Sequence, residues 1–298
     1  RELGLNILET GHVFLVPNIA GYVGADTVGV MVAAKMDQLG GNTLAIDIGT
    51  NGELILMGKG RILTCSTAAG PAFEGAEIKH GMRAADGAIE RVRINEDVEL
   101  ETISHLKPIG ICGSGLIDAI GEMARTGVIQ ETGRIVSKPE EMENLPPKVA
   151  ERIIKTEEGY EFVLTWAKDS GTGQNIVLTQ KDVRELQLAK AAIRAGVSIL
   201  MKDMGITLGE LDRVLLAGAF GNYISKASAL QIGLLPNVPI EKIDTVGNAA
   251  GDGAKMILLS YVERKRAQDL ADRSDHIELS TRTDFQEEFV DALTFEPQ

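Results

Sequence analysis

Cysteine is scarce in this chain. There are two, Cys65 and Cys112, far apart and in no Cys-x-x-Cys pair. Two thiols exclude a disulfide framework and cannot supply the four thiolates of an iron–sulfur cluster. They read as buried apolar groups in a reducing cytoplasm. Histidine is equally thin: His12, His80, His105 and His276 lack metal-site spacing. No Gly-x-Ser-x-Gly is present, so a Ser/His/Asp hydrolase has no support, and Gly113-Ser114-Gly115 lacks the right spacing for one. Aromatic residues make up only 4%, so the core must rest on Ala, Val, Ile and Leu. No apolar run is long enough to span a bilayer, and no signal peptide is visible. A basic surface is missing too. The net charge is −13, and the short run Arg264-Lys265-Arg266 has acids nearby and reads as a solvated helix face. Nucleic acid and membrane are therefore not the expected partners.

What the chain has in quantity is glycine, 33 residues gathered in short motifs rather than spread as linkers. That pattern suggests backbone-built ligand loops. With 298 residues there is enough chain for one large domain or two lobes with sizeable cores. The start at Arg1, amphipathic almost at once, reads as a fragment or a processed start.

The stretch that organises the rest is Leu44-Ala45-Ile46-Asp47-Ile48-Gly49-Thr50-Asn51-Gly52-Glu53-Leu54-Ile55-Leu56. It predicts a buried strand ending in one carboxylate, a tight glycine turn and a returning strand. Gly49 and Gly52 permit φ > 0 and leave room for a ligand at the main chain. Amide groups of such a turn can cradle an anion, and Asp47 beside them can hold Mg²⁺ directly or through water. An ordinary Asn-Gly hairpin with an incidental Asp fits the same residues.

Taken in order, Val13-Phe14-Leu15-Val16 predicts a short strand, and Gly21 and Gly24 lead into an Ala/Val/Met helix to about Met36. Those glycines suit a hinge between lobes or plain close packing. Arg61 to Cys65 predicts a third strand. Pro71 after Gly70 predicts a helix start with Glu74 in its first turn. Residues 81–104 predict further short strands. Gly113, Ser114 and Gly115 open a helix whose Leu116, Ile117, Ile120 and Met123 are apolar; the loop can seat a phosphate or be only a tight turn. Residues 130–180 read as a surface excursion, with Tyr160–Trp166 and Asn175–Leu178 pairing as a hairpin. Thr179 and Asp182 form a capping box for a helix to Met204. A strand from Leu211 runs into Gly218-Ala219-Phe220-Gly221-Asn222, small residues against which a flat ligand can lie. Residues 226–233 predict a short helix. Gly247 and Asn248 open a helix predicted to run to about Asp272, and Phe285–Leu293 predicts a last helix.

The order of these glycine clusters resembles the actin/Hsp70/sugar-kinase ATPase superfamily. The strings IAGYVGAD, IDIGTNGE, CSTAAGPAFEGA, GICGSGLIDA, TQKDVRELQLAKAAI and AGAFGNYI, in this order, more narrowly resemble the C-terminal region of reductive activators of corrinoid-dependent enzymes. The resemblance covers nearly the whole chain and implies an α/β ATPase lobe, a mixed sheet flanked by helices, with the N-terminal lobe incomplete. Residues 1–40 would hold the first hinge and part of the other lobe, and 41–298 the main lobe. It implies ATP and Mg²⁺ as cofactors. Asp47 would be the metal-positioning catalytic residue, with Glu53 and Glu74 orienting water. Gly49, Thr50, Asn51 and Gly52 would meet the phosphates, with Gly113, Ser114 and Gly115 a second glycine loop. Gly218, Ala219, Gly221 and Asn222 would bound the adenosine, and Gly247 and Asn248 the second hinge.

In that family ATP turnover helps move cobalt from Co(II) to Co(I) in a corrinoid protein, the implied partner, with a homodimer a further expectation. The family's first phosphate loop and its iron–sulfur part are not found in these residues, and Ala219 stands where a second glycine is usual. A metabolite kinase of the same superfamily and a docking or dimerisation module without turnover are the alternatives.

Overall fold

The computed structural model describes residues 4, 6–8, 10–218 and 223–295. The chain opens with α1 (Ala25–Ala33), then β1 (Thr43–Ile48), β2 (Gly52–Gly58) and β3 (Arg61–Thr67). Next come β4 (Ala88–Ile94), β5 (Val98–Thr102), β6 (Gly110–Ile111) and α2 (Gly113–Thr126). The short turns α3 (Pro139–Met142) and α4 (Pro147–Ala150) lead to β7 (Ile153–Thr156), β8 (Gly159–Thr165) and β9 (Ile176–Thr179). Helix α5 (Gln180–Met204), β10 (Arg213–Ala217), α6 (Lys226–Gln231) and β11 (Ile243–Gly247) follow. The chain closes with α7 (Ala249–Leu259), α8 (Tyr261–Asp272), β12 (Ser274–His276) and α9 (Thr283–Asp291).

The main sheet has the order β11-β10-β1-β2-β3-β12. Strands β11, β10 and β1 run parallel, β1 to β3 form an antiparallel meander, and β12 adds parallel to β3. Alternation along the strands sorts residues onto two faces. Leu44, Ile46, Ile48, Leu54 and Leu56 belong to the large core that includes the α5 residues Val183, Leu186, Ile193 and Val197. Ala45, Ile55, Leu215 and Ala217 belong to a second core with Val28, Met31, Ala249, Ile257 and Leu270 of α1, α7 and α8. The apolar stripe of α5 is therefore packing, as its spacing predicts. Its capping box also forms: Asp182 N–H donates to Thr179 Oγ1 (3.1 Å) and Thr179 N–H to Asp182 Oδ2 (2.8 Å).

Four local expectations are corrected. Residues 13–16 form no strand: they lack a partner strand, end at Pro17, and leave Val13, Phe14 and Leu15 exposed, with the Arg264 guanidinium over the Phe14 ring. Pro71 starts only a 3₁₀ turn, Pro71–Glu74, because Gly75 leaves it at φ 80°. The helix after Asn248 breaks at Ser260 (φ −131°, ψ 121°), whose hydroxyl accepts from Glu263 N–H and restarts α8. Residues 130–180 are more than an excursion. The hairpin of β8 and β9 forms, and Val149, Phe162, Leu164, Ile176 and Leu178 are part of the large core.

Helices α1 and α7 approach through glycine. A Cβ on Gly253 would stand 2.0 Å from Gly29 O, and one on Gly29 would stand 2.9 Å from Ala250 O. In an unconstrained helix interior Gly→Ala gains helix propensity. Here the added methyl meets backbone that cannot rotate away, so overpacking decides the sign. Gly253→Ala is expected to lower stability by about 1–3 kcal/mol. The midpoint of urea unfolding checks this; an unchanged or higher midpoint contradicts the packing account.

Candidate functional site

Parallel pairing brings three of the glycine clusters to one sheet edge. Asp47 of β1 lies opposite Ala217 of β10, and Ala217 lies opposite Gly247 of β11. The chain therefore leaves β1, β10 and β11 side by side, at the carboxyl ends where open α/β sheets take ligands. Gly218 follows at φ 95°, and its N–H donates to Gly247 C=O (3.0 Å). A Cβ on Gly218 would stand 2.6 Å from Asp47 Oδ1 and 2.9 Å from Ile48 O. Only glycine meets both the backbone angle and the space here. Ala219, Gly221 and Asn222, the rest of that loop's expected contacts, lie outside the described residues.

Strand alternation puts Asp47 and Glu53 on the face covered by α1 and α7. They are direct cross-strand partners in the β1–β2 hairpin. Burial pushes the Asp47 carboxyl up to about 6, with the negative charge of Asp26 adding to it. Burial pushes Glu53 up to about 7, and the charges of Asp47 and Asp26 add to that. Among the described residues no donor reaches the Asp47 carboxyl, while Ser66 Oγ lies 3.5 Å from Glu53 Oε1. Asp26, at the start of α1, is the member of this group that sequence reasoning missed. Its signal was present in the IAGYVGAD string, but nothing local says which strand end the helix meets.

The hairpin tip is Gly49-Thr50-Asn51. Gly49 N–H donates to Asn51 C=O (3.0 Å), and Thr50 and Asn51 are exposed. The expected left-handed glycines are not found: neither Gly49 nor Gly52 has a positive φ. Gly52 is small for packing, since a Cβ there would lie 2.7 Å from Thr67 Oγ1 and 2.9 Å from Ile193 Cγ1. Glu74 joins the site through Thr50, whose hydroxyl donates to Glu74 Oε1. Asn248 caps α7, its Oδ1 accepting from Gly251 N–H (3.1 Å), beside Gly247 at φ 59°.

Gly113, Ser114 and Gly115 are not brought to this edge of the main sheet. They are buried at the start of α2, packed on β4 of the separate sheet β5-β4-β6. A Cβ on Gly115 would stand 2.1 Å from Ile89 O, and Ser114 Oγ lies 3.3 Å from Cys112 Sγ. Close backbone packing accounts for the glycine at 115.

The described residues contain no group of three or more His, Cys, Asp and Glu arranged to hold a metal alone. Mg²⁺ commonly needs only one or two carboxylates when phosphate oxygens complete its shell. Asp47 at a strand end beside an exposed turn fits that division. Asp47 therefore suits Mg²⁺ that arrives with a phosphate ligand. No described helix is long and apolar enough to cross a membrane.

Comparison with known proteins agrees with the fold. Residues 41–298 match the family described as the C-terminal domain of RACo, the ASKHA domain, and residues 1–39 match the RACo middle region. The corrinoid activation enzyme RamQ of Eubacterium limosum is 38% identical over 287 residues, covering 96% of this chain and 48% of RamQ. A [Co(II) methylated amine-specific corrinoid protein] reductase of Methanosarcina barkeri is 27% identical over 320 residues, covering 98% of this chain and 53% of that protein. A solved reductive activator for corrinoid, iron-sulfur protein superposes with a TM-score of 0.86 at 42% identity, over 95% of this chain and 44% of the other. The chain thus spans about half the length of the curated relatives it matches. With an actin-like mixed sheet, a glycine-lined strand edge and a matching family over residues 41–298, the chain belongs to the RACo C-terminal ASKHA family.

Proposed function

We propose that this chain is the nucleotide-binding part of an ATP-dependent reductive activator. Mg-ATP would bind outside the carboxyl ends of β1, β10 and β11. Its turnover would help drive a docked corrinoid protein from Co(II) to Co(I). The single observation that carries this reading is the contact of Gly218 with Asp47. It sets a desolvated carboxylate and a side-chain-free backbone beside one another, with the exposed turn at Thr50 and Asn51 following Asp47. The names of the similar proteins supply the corrinoid partner.

In this reading Asp47 holds Mg²⁺ or one of its waters, and the metal, when bound, supplies charge neutralisation at the phosphates. The backbone of Gly49, Thr50, Asn51 and Gly52 meets the phosphates. Gly218 and Gly247, with Ala219, Gly221, Asn222 and Asn248, border the nucleoside. Glu53 orients water. The electron needs a donor other than this chain's cysteines: Cys65 and Cys112 are both free and buried. We assign that role to an iron–sulfur group carried elsewhere, in a reducing cytoplasm. ATP can drive the partner uphill only if the nucleotide-bound form binds the two cobalt states differently. Association of two copies belongs to the same reading. The exposed strip Leu258, Leu259, Tyr261 and Val262 around the α7–α8 break favours it.

Asp47→Asn removes the charge and keeps the shape. It is expected to weaken Mg-ATP binding about ten- to a hundredfold, the size of a lost charge-assisted contact. Calorimetric titration measures this, and an unchanged affinity contradicts the assignment of Asp47.

The carboxyl pair also sets a pH dependence for the free protein. Both acids are raised in the folded state, to about 6 and about 7 from 3.8 and 4.5. The folded chain then holds more protons than the unfolded chain between roughly pH 4 and 7. Stability contributed by the protonated pair is present at low pH and is lost as pH rises through that window. Glu53→Gln is therefore expected to stabilise the free protein at pH 8 by on the order of 1 kcal/mol and to change little at pH 5. Urea unfolding at the two pH values checks it; equal effects at both would contradict a Glu53 carboxyl raised by burial and by its acidic neighbours.

A further inference from the structure

The tip of the β1–β2 hairpin is tied down from outside the sheet. Gly70 N–H donates to Thr50 C=O (2.9 Å), and the Thr50 hydroxyl donates to Glu74 Oε1. Glu74 stands on the turn Pro71–Glu74, whose Ala72 and Phe73 are buried in the large core. The turn's exit is equally fixed, because a Cβ on Gly75 would stand 2.5 Å from Met82 N and one on Gly81 would stand 2.0 Å from Gly75 O. Met82 N–H in turn donates to Ile111 C=O (2.9 Å), and Ile111 N–H donates to His80 C=O (2.8 Å), which joins the turn to β6. Glu74 is thus held by a packed segment, while Thr50 sits on an exposed tip.

One hydroxyl has one proton to give. In the free protein Thr50 gives it to Glu74. A phosphate oxygen at the tip can only accept, so it needs the same proton. The Glu74 carboxylate also repels an approaching phosphate.

We propose that Glu74 is a positioning residue that competes with a nucleotide phosphate for the Thr50 hydroxyl. The Thr50–Glu74 bond then marks the nucleotide-free state, and phosphate binding breaks it and frees Glu74. The fixed turn joins this event to the β5-β4-β6 sheet through Gly75, Gly81 and Met82. The inference rests on the reading of the hairpin as a phosphate site.

The test uses calorimetric titration of Mg-ATP into the chain and into Glu74→Ala, Glu74→Gln, Thr50→Val and the Glu74→Ala/Thr50→Val double variant. Hydrogen exchange over residues 49–52 and at Gly70 is measured without nucleotide. Competition predicts that Glu74→Ala binds Mg-ATP about three- to tenfold tighter, the equivalent of one hydrogen bond no longer broken. Glu74→Gln, which keeps an acceptor and drops the charge, gives a smaller gain and guards against a misfolded alanine variant. Thr50→Val weakens binding, and in its background the gain from Glu74→Ala shrinks. In the free protein Glu74→Ala speeds exchange at the tip. A merely structural Glu74 would give weaker binding in Glu74→Ala. Weaker or unchanged binding, with the unsubstituted chain binding Mg-ATP, overturns the competition and leaves the phosphate site standing. Unchanged exchange at the tip overturns the tie itself. If the unsubstituted chain, folded by circular dichroism, binds no Mg-ATP, the phosphate-site reading fails and the competition fails with it.

Discussion

The register of β1 against β10 is the constraint on which the rest of the molecule depends. Because the two strands run parallel with Asp47 opposite Ala217, the chain leaves both at the same edge, and Gly218 arrives directly beside the Asp47 carboxyl. A one-residue slip would turn Asp47 to the other face, into the apolar core that α5 covers. The neighbouring strand β11 extends the same arrangement, and its Gly247 accepts the Gly218 amide. The helices that cover this face are held by equally close backbone contact between Gly29 and Gly253, which brings the start of α1, with Asp26, toward the acids.

The electrostatics of that edge bring like charges together. Asp47 and Glu53 face one another across two antiparallel strands with Asp26 near both, and no described Arg or Lys is paired with them. Like charges at directly opposed sheet positions destabilise a sheet. A divalent cation delivered with a phosphate would reverse that sign, because it favours the ionised form of the acids that now repel. The site therefore carries a folding cost in the free protein, which the ligand proposed above would relieve. The apolar edges around it, through α5 on one face and α1, α7 and α8 on the other, hold the acids in place against their repulsion.

Much of this was legible in the sequence. The apolar run at Leu44–Ile48, the return from Gly52, the capping box at Thr179 and the α5 stripe each depend on neighbours within a few residues, and each formed. Two of the failures share a cause, a partner or contact that lies outside the local sequence. The strand expected at Val13–Val16 needed a partner strand that no local pattern can supply. The helix expected from Pro71 stopped because Gly75 is pressed against Met82, a contact set by the fold. The break at Ser260 is a cap that sits inside an otherwise continuous helical pattern. At the site, Asp47 and the glycines of the strand ends stood out by type and position. The role of Asp26 and the bond from Thr50 to Glu74 did not, because both join segments distant in sequence. Gly113, Ser114 and Gly115 looked like a ligand loop or a tight turn by composition, and at Gly115 close packing on β4 already requires glycine.

The most direct test of the central claim is a crystal structure of this chain grown with Mg²⁺ and a non-hydrolysable ATP analogue. The account predicts the metal beside Asp47, phosphates over the turn at residues 49–52, and the nucleoside passing along the backbone at Gly218. A nucleotide bound elsewhere, or one whose phosphates do not approach Asp47, would contradict it.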